Sequence, residues 1–95
     1  MKPNYAYPLD IDWTTAEKVK VTTFYTLVED AYEHGVDRDN LLAAYRGFKE
    51  VVPDKGTERK LDREFEALSG YSMYTVIQMA RKGVSQKIRV RVSYP

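Results

Sequence analysis

The chain has no cysteine and a single histidine, His34. The first absence removes disulfides, thiolate nucleophiles and cysteine-based zinc sites together. The second removes any multi-histidine metal site within one chain. No apolar run approaches the roughly 18 residues a membrane helix needs, and no apolar leader core opens the sequence. A glycine-rich phosphate loop is missing too. Acids are absent from one end. All 14 lie in residues 1–66, beside ten bases, for a local net charge of −4. Residues 67–95 hold five bases (Arg81, Lys82, Lys87, Arg89 and Arg91) and no acid, for +5. Such asymmetry marks attraction between two halves of one fold or an anionic partner, and the first reading ranks ahead. With 95 residues the chain is expected to be one domain. At this size about 60–65% of the unfolded surface can be buried without staples. The absences together read as a soluble, cytoplasmic domain.

What is present is mostly helical punctuation. Thr14-Thr15-Ala16-Glu17 has the form of a capping box, in which the Thr14 hydroxyl and the Glu17 carboxylate satisfy each other's backbone N–H. Val21, Phe24, Tyr25, Val28, Ala31 and Tyr32 then recur on one helical face. Lys18-Val19-Lys20-Val21 alternates like a strand, but the helical spacing beyond it runs too long for one. Gly35 suits a left-handed stop. Asp37 starts a second helix, with Val36 and Leu41 as its hydrophobic staple. Its inner face is Leu41, Leu42, Tyr45, Phe48 and Val52, and Pro53 stops it.

Asp54 or Thr57 caps a third helix with a thin stripe of Leu61, Phe65 and Leu68. Its charged rows, Glu58-Asp62-Glu66 and Lys55-Arg59-Arg63, read as a solvated face. Gly70 ends it. Ser72 caps a fourth helix, with Tyr71 and Val76 as staple and Met73, Val76, Ile77 and Ala80 inward; Gly83 closes it. In VSQKIRVRVSYP, residues 84–95, the period changes to two: Ile88, Val90, Val92 and Tyr94 alternate with Lys87, Arg89, Arg91 and Ser93. No second strand is evident to pair with this tail. It lies extended on the helices, pairs with a second copy, or is disordered. The expected fold is all-α: a compact bundle of four main helices (14–83), an extended aromatic arm (1–13) and a short strand-like or disordered basic tail (84–95).

Three motifs invite chemistry and lack its company. Asp10 and Asp12 in YPLDIDWTTAE would share one face of an extended segment, as a magnesium-binding pair requires, but no phosphate loop or further ligand accompanies them. The plainer reading has Asp12 supporting the helix start while Tyr7, Leu9, Ile11 and Trp13 anchor the arm. GYSMY, residues 70–74, falls short of the nucleophile elbow, because Tyr74 replaces the second glycine and a helix precedes Ser72. DRDN, residues 37–40, opens like a calcium loop, but Leu42 and Phe48 stand where it needs glycine and glutamate.

A helix-turn-helix over residues 65–82 is the sharpest alternative. Gly70 makes the turn, Ser72 the cap, and Tyr74, Thr75, Gln78, Arg81 and Lys82 would face outward toward phosphates and base edges. Glu66, where the helices should cross closely, and Ser69, just before the turn, count against it.

The stretches YPLDIDWTTAE, AYEHGVDRDNLLAAYRGFKEVVPDK and REFEALSGYSMY together resemble the YktA-like family of small bacterial proteins (uncharacterised protein family 0223) of Bacillus and its relatives. The resemblance covers most of residues 5–81. It implies an all-helical cytoplasmic protein and carries over no catalytic residues. The leading functional reading is therefore a non-enzymatic protein-binding or adaptor domain, with no cofactor and no membrane partner. Eight tyrosines is a high number, and tyrosine is enriched at interface hot spots. Tyr5, Tyr7, Tyr71 and Tyr74 are the candidate partner surface. Second comes nucleic-acid binding through residues 65–82 and the tail, using Arg81, Lys82, Lys87, Arg89 and Arg91. Third comes a metal-dependent enzyme built on Asp10 and Asp12. Self-association through the tail is a further possibility.

Overall fold

The computed structural model describes residues 7–83 and 85–90. The fold is all-α with one minimal sheet: helix α1 (Thr15–Glu33), strand β1 (Val36–Asp37), helices α2 (Arg38–Val51), α3 (Lys55–Ser69) and α4 (Met73–Lys82), and strand β2 (Lys87–Ile88). The caps explain the boundaries. The capping box forms: Thr14 Oγ1 accepts from the Glu17 N–H at 3.1 Å, and Glu17 Oε1 accepts from the Thr14 N–H at 2.9 Å. Asp37, Asp54 and Ser72 each accept from the backbone N–H three residues on, at 3.0, 2.8 and 3.2 Å. Each satisfies a donor that the first helical turn leaves open. Asp54 rather than Thr57 caps α3.

Helix wins over the strand-like run at Lys18–Val21 because only helical spacing buries Val21, Phe24, Tyr25, Val28 and Ala31 together, each with no exposed surface. At the end of α1 the N–H groups of His34 and Gly35 both donate to Asp30 O, at 2.9 and 2.7 Å. Gly35 has φ 99°, and a Cβ there would meet the Lys87 side chain at 2.5 Å. The positive φ makes glycine the fitting residue here, and the Lys87 side chain of the passing strand lies close over it.

Three expectations are corrected. The tail does find a strand within the chain: β1 pairs antiparallel with β2, Val36 opposite Ile88 and Asp37 opposite Lys87. The Arg38 N–H donates to Gln86 O at 2.7 Å, and the Val90 N–H donates to Ala31 O at 2.9 Å. The alternation is kept, with Ile88 buried, Val90 half-buried, and Lys87 and Arg89 exposed. Val92, Tyr94 and Arg91 lie outside the described residues. Second, Leu68 does not belong to the α3 stripe; it is 46% exposed, whereas Leu61 and Phe65 are buried. Third, the residues before α1 are not extended throughout. Asp10 Oδ1 accepts from the Asp12 N–H at 2.8 Å, and Asp10 O accepts from the Trp13 N–H at 3.2 Å. This aspartate turn puts Ile11 at its tip, 89% exposed, while Tyr7 and Trp13 pack on the core.

The core is aromatic at its centre. Tyr25 stacks on Phe65 with centroids 4.8 Å apart, and Phe24 lies 5.0 Å from Phe48. Tyr7 joins them from the arm, 5.4 Å from Tyr25 and 6.3 Å from Phe65. The Tyr25 hydroxyl donates to Pro8 O at 3.0 Å, and burial pushes its pKa well up. Tyr7 also donates its hydroxyl to Glu29, a carboxylate only 1% exposed, at 2.5 Å. A carboxyl group so deep needs hydrogen-bonding partners, and the arm supplies one of them. No helix among the described residues is long and apolar enough to cross a membrane.

Candidate functional site

Helices α2, α3 and α4 enclose a cleft of about 230 Å³. Its base is the Tyr45 ring together with Met73 and Ile77, which are 3% and 5% exposed. Polar bonds hold its walls together. The Tyr45 hydroxyl donates to Glu58 Oε2 at 2.7 Å, and Lys49 Nζ donates to Glu58 Oε1 at 2.7 Å, so α2 and α3 are tied twice through one carboxylate. Burial first, and the bond to Glu58 second, push the Tyr45 pKa up to about 12. The hydroxyl therefore stays a donor at any physiological pH. The Arg81 guanidinium lies 5.4 Å from the centroid of the Tyr45 ring, a cation–π contact joining α4 to α2.

Asp62 ties α3 to α4. Its two oxygens accept from the N–H groups of Met73 (2.9 Å) and Tyr74 (3.3 Å), so it is a second cap on α4 beside Ser72. The charged rows of α3 are therefore not simply solvated, as the sequence suggested: Glu58 and Asp62 are half-buried and bonded across helices. Burial is the largest influence on Asp62 and raises its pKa. The two N–H bonds oppose that shift, and the nearby Glu58 charge adds to it.

The sign of this shift gives a prediction. An acid whose pKa is raised on folding stabilises the fold below its unfolded value, about 3.9, and that contribution is lost as pH rises through the folded pKa. Asp62→Asn keeps an acceptor without the charge. Its stability relative to wild type should therefore increase as pH rises across that window. Asp62→Ala loses the cap and should cost about 1–2 kcal/mol at pH 7. Urea melts of both variants at pH 3 to 7 check this. The lowered pKa values of Asp37 and Asp54 act in the opposite direction, but they are common to all three chains and cancel in the comparison.

A second, shallower recess adjoins the cleft along the outer face of α4, lined by Tyr74, Thr75, Gln78, Met79, Lys82 and Gly83. Tyr74 and Gln78 line both recesses and form the ridge between them. Tyr74 is 67% exposed and Met79 37%. The helix-turn-helix reading placed Tyr74, Thr75, Gln78, Arg81 and Lys82 outward, and all five are exposed or half-exposed here.

The candidate tyrosines separate into different roles. Tyr7 pins the arm to Glu29. Tyr71 is half-buried, stacks on Tyr32 with centroids 4.5 Å apart, and donates to Glu33 Oε2 at 3.1 Å. The Tyr32 hydroxyl accepts from the Ser72 N–H at 3.1 Å, so this pair clasps the α3–α4 turn against α1. Tyr74 stands out in solvent, and Tyr5 lies outside the described residues. Of the candidate anion contacts, Arg81 and Lys82 close α4, while Lys87 and Arg89 stand exposed on and beside β2, outside both recesses.

Asp10 and Asp12 are both exposed, and Asp10 spends one oxygen on its own turn. Among the described residues no three His, Asp or Glu side chains gather as metal ligands. Sequence reasoning missed Glu58 and Asp62, whose partners lie on other helices, and Glu29. For Glu29 a signal existed, since it follows Tyr25 by four positions on the buried stripe.

Comparison with known proteins places the chain among bacterial relatives. It is 49% identical over 84 residues to a UPF0223 protein of Bacillus mycoides (strain KBAB4), covering 88% of this chain and 94% of that one. A UPF0223 protein of Lactiplantibacillus plantarum is 50% identical over 88 residues, 93% of this chain and 91% of its own. One from Streptococcus sanguinis (strain SK36) is 49% identical over 81 residues, 85% and 88% of the two chains. The family model matches residues 4–89, from the aromatic arm through the capped helices to β2, and the chain belongs to the Uncharacterised protein family (UPF0223).

Proposed function

We propose that this chain is a small cytoplasmic protein-binding domain that docks an acidic partner protein on the outer face of α4. The observation that carries the reading is the exposure of Tyr74 and Met79, both lining the α4 recess, on a helix with no acid. Large apolar side chains that line an open recess suit a contact surface, and tyrosine is among the residues that dominate binding energy. Lys82 lines the same recess, Arg81 lines the adjoining cleft, and the chain from residue 67 onward carries only positive charge. Complementarity therefore favours a partner with carboxylates around an apolar patch. The absence of cysteine and of a membrane-crossing helix among the described residues supports the cytoplasmic placement.

Affinity capture of the tagged chain from a Bacillus lysate, with and without nuclease, tests this reading. A protein should be retained through nuclease treatment, and Tyr74→Ala should weaken its binding by about 2 kcal/mol, on the order of 30-fold. Retention indifferent to Tyr74→Ala would contradict the reading. Retention abolished by nuclease would favour nucleic acid on the same helix. A second copy of the chain as the retained species would favour self-association.

A further inference from the structure

The cleft between α2, α3 and α4 adds a specificity element to this docking face, and the inference rests on the reading just given. We propose that it is the anchor pocket of the surface. It takes an aromatic or branched aliphatic side chain of the partner that stands beside an aspartate or glutamate in a short linear segment.

Volume argues for a side chain over a free ligand. Pockets for whole small molecules run to about 300–1,000 Å³, and this cleft is smaller. It shares Tyr74 and Gln78 with the α4 recess, so the two lie on either side of one ridge. A chain lying on α4 can therefore drop one residue into it. The base of Tyr45, Met73 and Ile77 offers that residue an apolar seat.

Charge argues for the neighbouring acid. The two carboxylates of the cleft are already engaged: Glu58 by Tyr45 and Lys49, Asp62 by the N–H groups of Met73 and Tyr74. Two of its three cations are not. Among the described residues neither Lys55 nor Arg59 has an ion-pair or hydrogen-bond partner, and both are exposed at the rim. Arg81 completes the rim from α4, exposed as a residue and resting on the Tyr45 ring. An incoming carboxylate thus meets two unpaired cations of α3, with the Arg81 charge of α4 across the cleft. The bonds that join α2 to α3 and α3 to α4 hold this arrangement before any ligand arrives, which lowers the ordering cost of binding.

The test is selection of a random peptide library against the full-length chain, followed by anisotropy titration of the enriched peptides. Enriched sequences should place an aromatic or branched residue beside Asp or Glu. The double variant Lys55→Glu, Arg59→Glu should bind them about tenfold or more weakly, with its melting temperature unchanged. Tyr74→Ala should weaken them as well. Peptides that need Tyr74 but carry no acid, or that ignore the double variant, would overturn the anchor pocket and leave the docking face standing. Peptides indifferent to Tyr74→Ala, or no enrichment at all, would overturn both.

Discussion

Phe65→Ala is expected to cost about 3–5 kcal/mol, the range for emptying an aromatic site in a packed core. Phe65 has no exposed surface. It is the face on which Tyr25 stacks and the second ring that Tyr7 touches, so its loss opens a void under both α1 and the arm. Domains of this size hold a net stability of about 5–15 kcal/mol, so the variant should be poorly folded or unfolded at ambient temperature. Leu68→Ala, one turn further along α3 but 46% exposed, should stay within about 0.5 kcal/mol of wild type. Urea denaturation followed by helical circular dichroism separates the two. A Phe65→Ala loss below about 1 kcal/mol would mean that the centre of the core has been placed wrongly.

Tyr7→Phe has the next largest expected effect, about 1–3 kcal/mol, from the removal of one oxygen. The ring still fits against Tyr25 and Phe65. What disappears is the donor to Glu29, which is left nearly fully buried with one partner fewer. The cost comes from one hydrogen bond fewer at a buried acceptor, not from lost packing. Tyr74→Phe removes the same atom from an exposed ring and should be neutral within about 0.5 kcal/mol. The same melts, run on both variants, decide the point. Equal effects would show that the arm does not seal Glu29.

These residues also show where sequence reading succeeds and where it stops. Caps and stops are local chemistry. Thr14 with Glu17, Asp37, Ser72, Gly35 and Gly70 act on backbone atoms within a few residues, so spacing alone places the helix ends. The β1–β2 pair is invisible to that method. Val36–Asp37 is only two residues long, and Asp37 already reads as a helix cap; nothing there alternates. Asp62 escaped for a related reason. Its partners are 11 and 12 residues away on the next helix, and in sequence it is one acid in a row of charges.

The candidate site was legible in part. Tyr74, Arg81 and Lys82 follow from helical periodicity once Ser72 is fixed as the cap. The division of labour among the tyrosines does not. Tyr7 and Tyr71 look as available as Tyr74 until Glu29 and Tyr32 are brought beside them by the fold. The cleft depends on three helices at once, and a pattern within any one of them cannot reveal it.

The docking face is tested most directly by site-specific photo-crosslinking in a Bacillus lysate. A photoreactive residue is placed at Gln78, on the ridge of α4, or at the exposed Thr23 of α1 as a control. The docking account predicts a discrete crosslinked protein from position 78 that survives nuclease and is absent from position 23. Equal crosslinking from both positions, or none from position 78, would contradict it.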